Sequence, residues 1–336
     1  MEETLPIAPS APASLVTPAG FAYGRFREPI AEPRLPPSLF GRFRTKEWHY
    51  HSIVTDDWFL GVALVGLGYA ANAFLYFVER RAPDRRLEYE AISPLARALE
   101  FAPSSIRGRS QWRKGLDHVS IEYREGWRLE LDVGLSEGRL EGDLQISPDA
   151  SLALSFELGR ARPAYTHKAA ALLARGELSL GARSFSCEGA LATLDWTRSL
   201  ARRHTHWKWA SFAGRSRDGR RIGLNLSAEV YDDPPGVSHE NAAFVDGETH
   251  ALGGVTFQLP KDPAREPWRI RSSNGAEVDL EFQPLGARAQ KLNLGLVKSD
   301  FVQPYGLFQG KLAPQGVEPA DVSGAFGVVE DHDAVW

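Results

Sequence analysis

The sequence predicts an all-β protein built as two antiparallel barrel-like or sandwich-like halves, with an extended N-terminal arm. Three observations carry that expectation. Short segments rich in branched and aromatic residues recur from about Leu39 to the C-terminus. Several alternate apolar with polar residues, the period-two pattern of a half-buried strand. Turn signals divide them, including Asp218-Gly219 and Asp246-Gly247, in a chain with 31 glycines and 22 prolines.

Taken in order, residues 1–38 are rich in Pro, Ala and Arg and read as an arm lying on the body, with disorder the alternative as far as Thr17. Residues 39–162 form the expected first β half and 163–336 the second, with a break at Arg160-Ala161-Arg162-Pro163. Glu47–Val54 is an aromatic opening strand. Phe59 to Val78 is twenty residues without a charge, long enough for a membrane helix. Its glycines and Asn72 favour a hairpin instead, joining Trp58–Val65 to Ala73–Glu79. A strand at Leu87–Ile92 and a short helix at Pro94–Leu99 follow. Strands are then expected at Val119–Tyr123, Trp127–Val133, Leu140–Ile146 and Ala153–Leu158. The second half continues from Gly176 through Trp207–Ala213, Arg221–Glu229, Ala242–Val245 and on to Ser323–Glu330.

Composition narrows the function classes. Hydrophobic residues make up 43% and charged residues 24%, with 43 acids against 39 bases and a net charge of −4. That balance argues against a nucleic-acid partner. Met1-Glu2-Glu3-Thr4 lacks the basic start of a secretory leader, so a cytoplasmic protein without stable membrane insertion is expected. A single cysteine, Cys187, excludes an internal disulfide and reads as a small core residue.

The densest chemistry lies in Leu194–Trp209, which holds Asp195, His204, His206 and three tryptophans. Asp195 ends an apolar run, where a carboxylate needs a partner; Arg198, Arg202 and Arg203 are the near candidates. It is either a structural Asp capping a short helix through Thr197–Ala201 or an acid made protonatable by its surroundings. His204 and His206 share a strand face, yet no third ligand completes a metal set. Trp207 and Trp209 share the other face and suit either core packing or the wall of an apolar pocket, with Lys168, Asn225, Glu240 and Asn241 as polar groups entering apolar segments. No nucleophile elbow or phosphate loop is present, and no cofactor or metal is implied.

The ordered motifs Tyr165-Thr166-His167-Lys168, Leu194-Asp195-Trp196-Thr197-Arg198, Trp207-Lys208-Trp209, Gly223-Leu224-Asn225-Leu226, Glu240-Asn241 and Glu330-Asp331-His332 resemble the family catalogued as domain of unknown function 2804 over roughly residues 20–336. More distantly, Gly176, Gly181, Gly189, Asp195, Trp207-Lys208-Trp209 and Asp218-Gly219 are similar to the carotenoid 1,2-hydratase and AttH-like group. That likeness implies two lipocalin-like (calycin) barrels and an acid that protonates an isolated alkene, with Asp195 as the acid and His167 beside it. The pattern departs at Thr193 and Ala169, where the hydratases carry Tyr and Trp.

These readings converge on an apolar small molecule, isoprenoid or lipid-like, held in a barrel cavity of the second half. Asp195, His167 and His204 are the candidate catalytic residues; Lys168, Trp207, Trp209, Asn225, Glu240 and Asn241 are the candidate ligand-binding residues. An enzyme on this plan performs cofactor-free hydration, isomerisation or cyclisation of an alkene. The alternatives are a non-catalytic lipid carrier and a carbohydrate-binding β-sandwich using the tryptophans as platforms. The decisive geometry is whether Asp195 and His167 point into one cavity.

Overall fold

The computed structural model describes residues 5–36, 41–159, 161–293, 295 and 297–336. The expected start of the β pattern at Leu39, the Met1–Thr4 opening and Arg160 of the expected break lie outside these residues. Within them the chain is nearly all β, with one four-residue helix, Gly41–Arg44. Two large sheets, antiparallel except where Ile7–Ala8 runs parallel to Gly24–Phe26, account for almost all strands. The first has 15 strands and includes Thr45–Val54, Trp58–Gly66, Ala70–Glu79, Pro163–Leu180 and Leu191–Leu200. The second has 10 and includes His204–Arg215, Arg221–Ala228, Val278–Asn293, Lys298–Leu312 and Ala325–Val335.

Alternation makes the inner faces. Along Trp127–Leu135, Trp127, Leu129, Leu131 and Val133 are buried in the core of the first sheet, and the residues between them are more exposed. The second sheet encloses its own core around Phe212, Leu224, Trp268, Phe282 and Phe308. A third apolar cluster lies between the sheets. Tyr50, Phe59, Val65 and Tyr76 meet Trp209, Tyr305 and Phe326 there.

That third cluster explains the uncharged run from Phe59 to Val78. It is the expected hairpin, Trp58–Gly66 paired with Ala70–Glu79. Trp58, Leu60, Val62 and Leu64 face the first core, while Phe59, Ala63 and Val65 face the second sheet. A strand covered on both faces loses its polar alternation, as in buried sheets generally. No described helix is long and apolar enough to cross a membrane.

The sheets divide later than the expected boundary at 162/163. Pro163–Leu180 hydrogen-bonds to Gly138–Ile146 and Leu191–Leu200, and the latter pairs with Thr45–Val54. All of 163–200 therefore completes the first sheet, and the second begins at His204. The Leu194–Trp209 stretch is thus the crossover between the sheets, not a link within the second. A β-strand, Leu191–Leu200, replaces the helix considered for Thr197–Ala201. Pro94–Leu99 is likewise a strand end and turn, with Leu95 and Ala96 at positive φ.

Pro163–Leu180 bends at a register shift between Ala169 and Leu172, where Ala171 takes a left-handed φ of 59°. The bend brings Ala170 against Gly223 of the second sheet. A Cβ at Gly223 would lie 2.5 Å from the Ala170 Cβ, so only glycine permits this approach. The N-terminal arm does lie on the body: Gly24–Phe26 pairs with Leu152–Glu157, and Leu15 and Ile30 are fully buried. Ile7–Ala8 pairs with Arg25–Phe26, which places order well before Thr17. Cys187 is a buried, unpaired thiol packed on the first core.

Candidate functional site

A cavity of about 530 Å³ opens between the two sheets beside the inter-sheet cluster. Its position corrects the expectation of a pocket inside the second barrel, whose interior is filled by aliphatic and aromatic side chains. Both sheets line it. Thr45–Val54 contributes Trp48 and Tyr50, Leu191–Leu200 contributes Asp195 and Thr197, and His204–Arg215 contributes Trp207 and Trp209.

Strand register builds the polar end. Lys168 pairs with Asp195, and Asp195 pairs with Tyr50, so the three side chains stand in one row across the sheet. Lys168 Nζ lies 2.5 Å from Asp195 Oδ2 and 2.8 Å from Glu240 Oε1, the latter reaching over from the second half. Thr166 donates to Glu240 Oε1 at 3.0 Å, and Thr197 Oγ1 lies 3.0 Å from Asp195 Oδ1. Lys168 and Glu240 are almost wholly buried, whereas the Asp195 side chain keeps 18% of its exposure.

Two carboxylates therefore compete for one ammonium. Burial lowers the proton affinity of Lys168, but the charges of Asp195 and Glu240 outweigh it and hold the ammonium above its ordinary value. Burial pushes the Glu240 carboxyl up; Lys168 pulls it down and the Asp195 charge pushes it up again, leaving it raised. The arrangement can carry a proton on a carboxyl group at the edge of an apolar cavity. Glu240, expected to orient a ligand, is thus an acid whose burial favours its protonated form. Two of the three arginines expected to pair Asp195 are engaged elsewhere: Arg198 with Glu47 at 2.7 Å, and Arg202 with the Leu158 carbonyl.

The opposite wall carries a second polar chain. Tyr76 donates to Gln303 at 2.8 Å, and Gln303 donates to Glu330 Oε2 at 2.6 Å. Trp207 Nε1 donates to Glu330 Oε1 at 2.8 Å, and His332 lies 2.8 Å from Ser299 Oγ. Trp209 Nε1 donates to Asn225 Oδ1 at 2.8 Å, and Asn225 Nδ2 donates to the Glu240 carbonyl at 2.9 Å. Asn225 is thus a brace behind the cavity rather than part of its wall. Asn241 also lies outside it, accepting from Ser227 N and donating to the Gly253 carbonyl.

His167 is on the wrong face for the expected mechanism. It neighbours Lys168 on a strand, so it points into the first barrel while Lys168 and Asp195 face the cavity. There its Nδ1 lies 2.8 Å from Ser105 Oγ, near Trp127, with His49 and His51 on the same interior face. The Nε2 atoms of all three histidines are buried without a hydrogen-bond partner. Burial depresses His51 to about 4 and His167 to about 3, and it holds His49 well below its ordinary value. His204 is remote too: it pairs with Asp333 at the surface, and His206 sits between Glu229 and Asp331. Among the described residues, no cluster of three or more His, Cys, Asp or Glu is placed to hold a metal ion.

The site thus unites Asp195, Lys168, Glu240, Trp207 and Trp209, and leaves out His167, His204, Asn225 and Asn241. Sequence reasoning missed Tyr50, Trp48, Gln303 and Glu330. Glu330 stood in a motif already noted, Glu330-Asp331-His332. Tyr50 lay in the alternating His49-Tyr50-His51 run, whose period of two separates the cavity hydroxyl from the interior imidazoles.

The domain of unknown function (DUF2804) matches residues 9–336. Several solved structures share the architecture at low identity. The structure of CghA is 12% identical, with a TM-score of 0.51 over 85% of this chain and 87% of that one. A second CghA structure, with Sch210972 bound, gives 12% and 0.50 over 87% and 88%. Kievitone hydratase from Nectria haematococca gives 11% and 0.49 over 85% and 88%. An AttH-type protein from Nitrosomonas europaea gives 13% and 0.46 over 91% and 98%. No curated protein sequence matches significantly.

Proposed function

We propose that this chain, which belongs to the DUF2804 family, binds an apolar small molecule in the cavity between its two sheets. The observation that carries the reading is the cavity itself. It has about 530 Å³ of space, walls of Tyr50, Val65, Phe74, Trp207 and Phe301, and the Lys168–Asp195–Glu240 cluster at one end. An apolar pocket with a few convergent polar groups is the usual form of a small-molecule site. CghA, which shares the fold, is itself seen with Sch210972 in place, and that supports a ligand-holding role.

Catalysis is the second reading, favoured by the raised Glu240 carboxyl beside Asp195. In it Glu240, with Asp195 as its charge partner, gives a proton to an alkene carbon and later recovers one. Hydration, isomerisation or cyclisation then differ in what quenches the cation. Sugar binding has less support: Trp209 is buried and packs edge-on against Tyr50 at 5.5 Å, and Trp207 is stacked with Trp336 at 6.4 Å, so neither is a free surface platform.

The test is organic extraction and mass spectrometry of protein purified from several expression hosts. An apolar molecule should co-purify with the wild type; its absence from every preparation sinks the reading. Glu240→Gln and Asp195→Asn then separate the roles. A carrier retains ligand without turnover in any form, whereas an enzyme retains ligand but loses turnover in both variants.

A further inference from the structure

We propose that the occupant of the inter-sheet cavity has a neutral or cationic polar end and no carboxylate or phosphate. This rests on the apolar-ligand reading above and narrows it to alcohols, amines and uncharged polyenes or esters.

Charge at the walls carries the inference. Among the described residues, three cationic side chains border the cavity: Lys168, Arg288 and Lys298. Lys168 is held by two carboxylates, Asp195 at 2.5 Å and Glu240 at 2.8 Å. Arg288 is held by two more, Glu88 at 2.8 Å and Glu90 at 2.9 Å, while its guanidinium lies on the Phe74 ring at 4.1 Å. Lys298 is exposed at the rim, where an ion pair is worth little. Glu330 adds a further buried carboxylate on the opposite wall.

The lining itself is balanced, with Asp195, Glu240 and Glu330 against the three cations. With Glu88 and Glu90 behind Arg288, however, an anionic head group meets five carboxylates against three cations, two of which are already doubly paired. To reach Lys168 it must displace Asp195 or Glu240 and leave that carboxylate buried and unpaired, which costs more than the new pair returns. A hydroxyl or an ammonium faces no such exchange. Tyr50 Oη is buried at the wall without a hydrogen-bond partner, next in register to Asp195, and can donate to or accept from a hydroxyl. Asp195 and Glu330 can accept from an ammonium.

The experiment uses the full chain at pH 7.5 and three probes of one length: dodecanol, dodecylamine and dodecanoic acid. Binding is read from the fluorescence of the tryptophans that line the cavity. Ala63→Phe, which places a ring in the middle of the cavity wall and obstructs it, identifies signal arising elsewhere. Dodecanol and dodecylamine should bind, and dodecanoic acid should bind at least tenfold more weakly. Glu240→Gln releases one partner of Lys168 and should raise the affinity of the acid relative to the alcohol by a similar factor. Acid binding as tight as the alcohol in the wild type overturns this inference and leaves the apolar-ligand reading intact. Failure of all three probes removes both.

Discussion

Lys168, on a strand of the first sheet, and Glu240, in the turn that leads into the second sheet's strand Ala242–Val245, meet at 2.8 Å, with the lysine also held by Asp195 on its own sheet. This one ammonium therefore joins the two halves at the polar end of the cavity. Removing it leaves two carboxylates without their cation in a largely dry place. Lys168→Met should destabilise the protein by about 3–5 kcal/mol, the usual cost of breaking a buried pair from one side. Urea unfolding measures it. A loss below about 1 kcal/mol would mean that water or another cation reaches the carboxylates freely. Lys168→Met combined with Glu240→Gln should recover part of the loss, since one of the stranded charges is gone.

The histidines inside the first barrel make stability depend on pH. His51 titrates at about 4 and His167 at about 3 in the folded protein, against an ordinary 6.5. The unfolded chain thus binds more protons at intermediate pH. The stability these groups contribute is complete above about pH 6.5 and is lost as the pH falls. Glu240, raised by burial, has the opposite sign: its contribution falls as pH rises from 4.5. The two histidines outnumber it, so unfolding free energy should fall between pH 6.5 and 5. His51→Gln and His167→Gln should each flatten that slope. A flat profile in the wild type, or slopes unchanged in both variants, rules the assignment out. Their coupling to His49 should appear as non-additive slopes in the double variant.

The sheets' approach at Gly223 gives a separate test of the packing. Any side chain there meets the Ala170 Cβ and the Ala170–Ala171 backbone. Gly223→Ala should cost about 1–3 kcal/mol through overpacking. The same change at Gly219, a turn glycine with nothing within 4 Å of a built Cβ, isolates the effect of positive φ from that of contact. No loss at Gly223, beside the φ-driven loss at Gly219, would show that the sheets can part at Gly223 without penalty.

Much of this architecture was legible in local pattern. Alternation in Trp127–Leu135 and the Asp246-Gly247 turn each specify their own strand pairs. What local pattern cannot carry is which face of a strand meets which partner. The expected pairing of His167 with Asp195 failed for that reason: the residue facing Asp195 is the next one, Lys168, and a single step along a strand reverses the side chain. The arginines near Asp195 in sequence were similarly misleading, because the lysine that neutralises it arrives from a neighbouring strand. Glu240 is visible in the sequence as an acid just before an apolar strand, but its role depends on a contact between the two halves that no spacing encodes. The boundary at 162 failed because a Pro-containing turn looks the same within a sheet as between sheets.

Ala63 offers the cleanest separation of ligand binding from folding. It lies on the middle strand of the apolar hairpin region, between Tyr50 and Phe74 in register, and its methyl group faces the cavity. A phenyl ring placed there enters existing space instead of displacing packed atoms, so Ala63→Phe should leave stability within about 1 kcal/mol of wild type, the range of tolerated volume changes. It should also reduce co-purified ligand by at least tenfold. Leu64, the next residue, points into the first core and is fully buried. Leu64→Ala should therefore do the reverse: lose about 2–5 kcal/mol of stability and keep its ligand while folded. Extraction and unfolding on the same two variants measure both effects. If Ala63→Phe retains ligand at the wild-type level, the molecule is bound somewhere other than between the sheets.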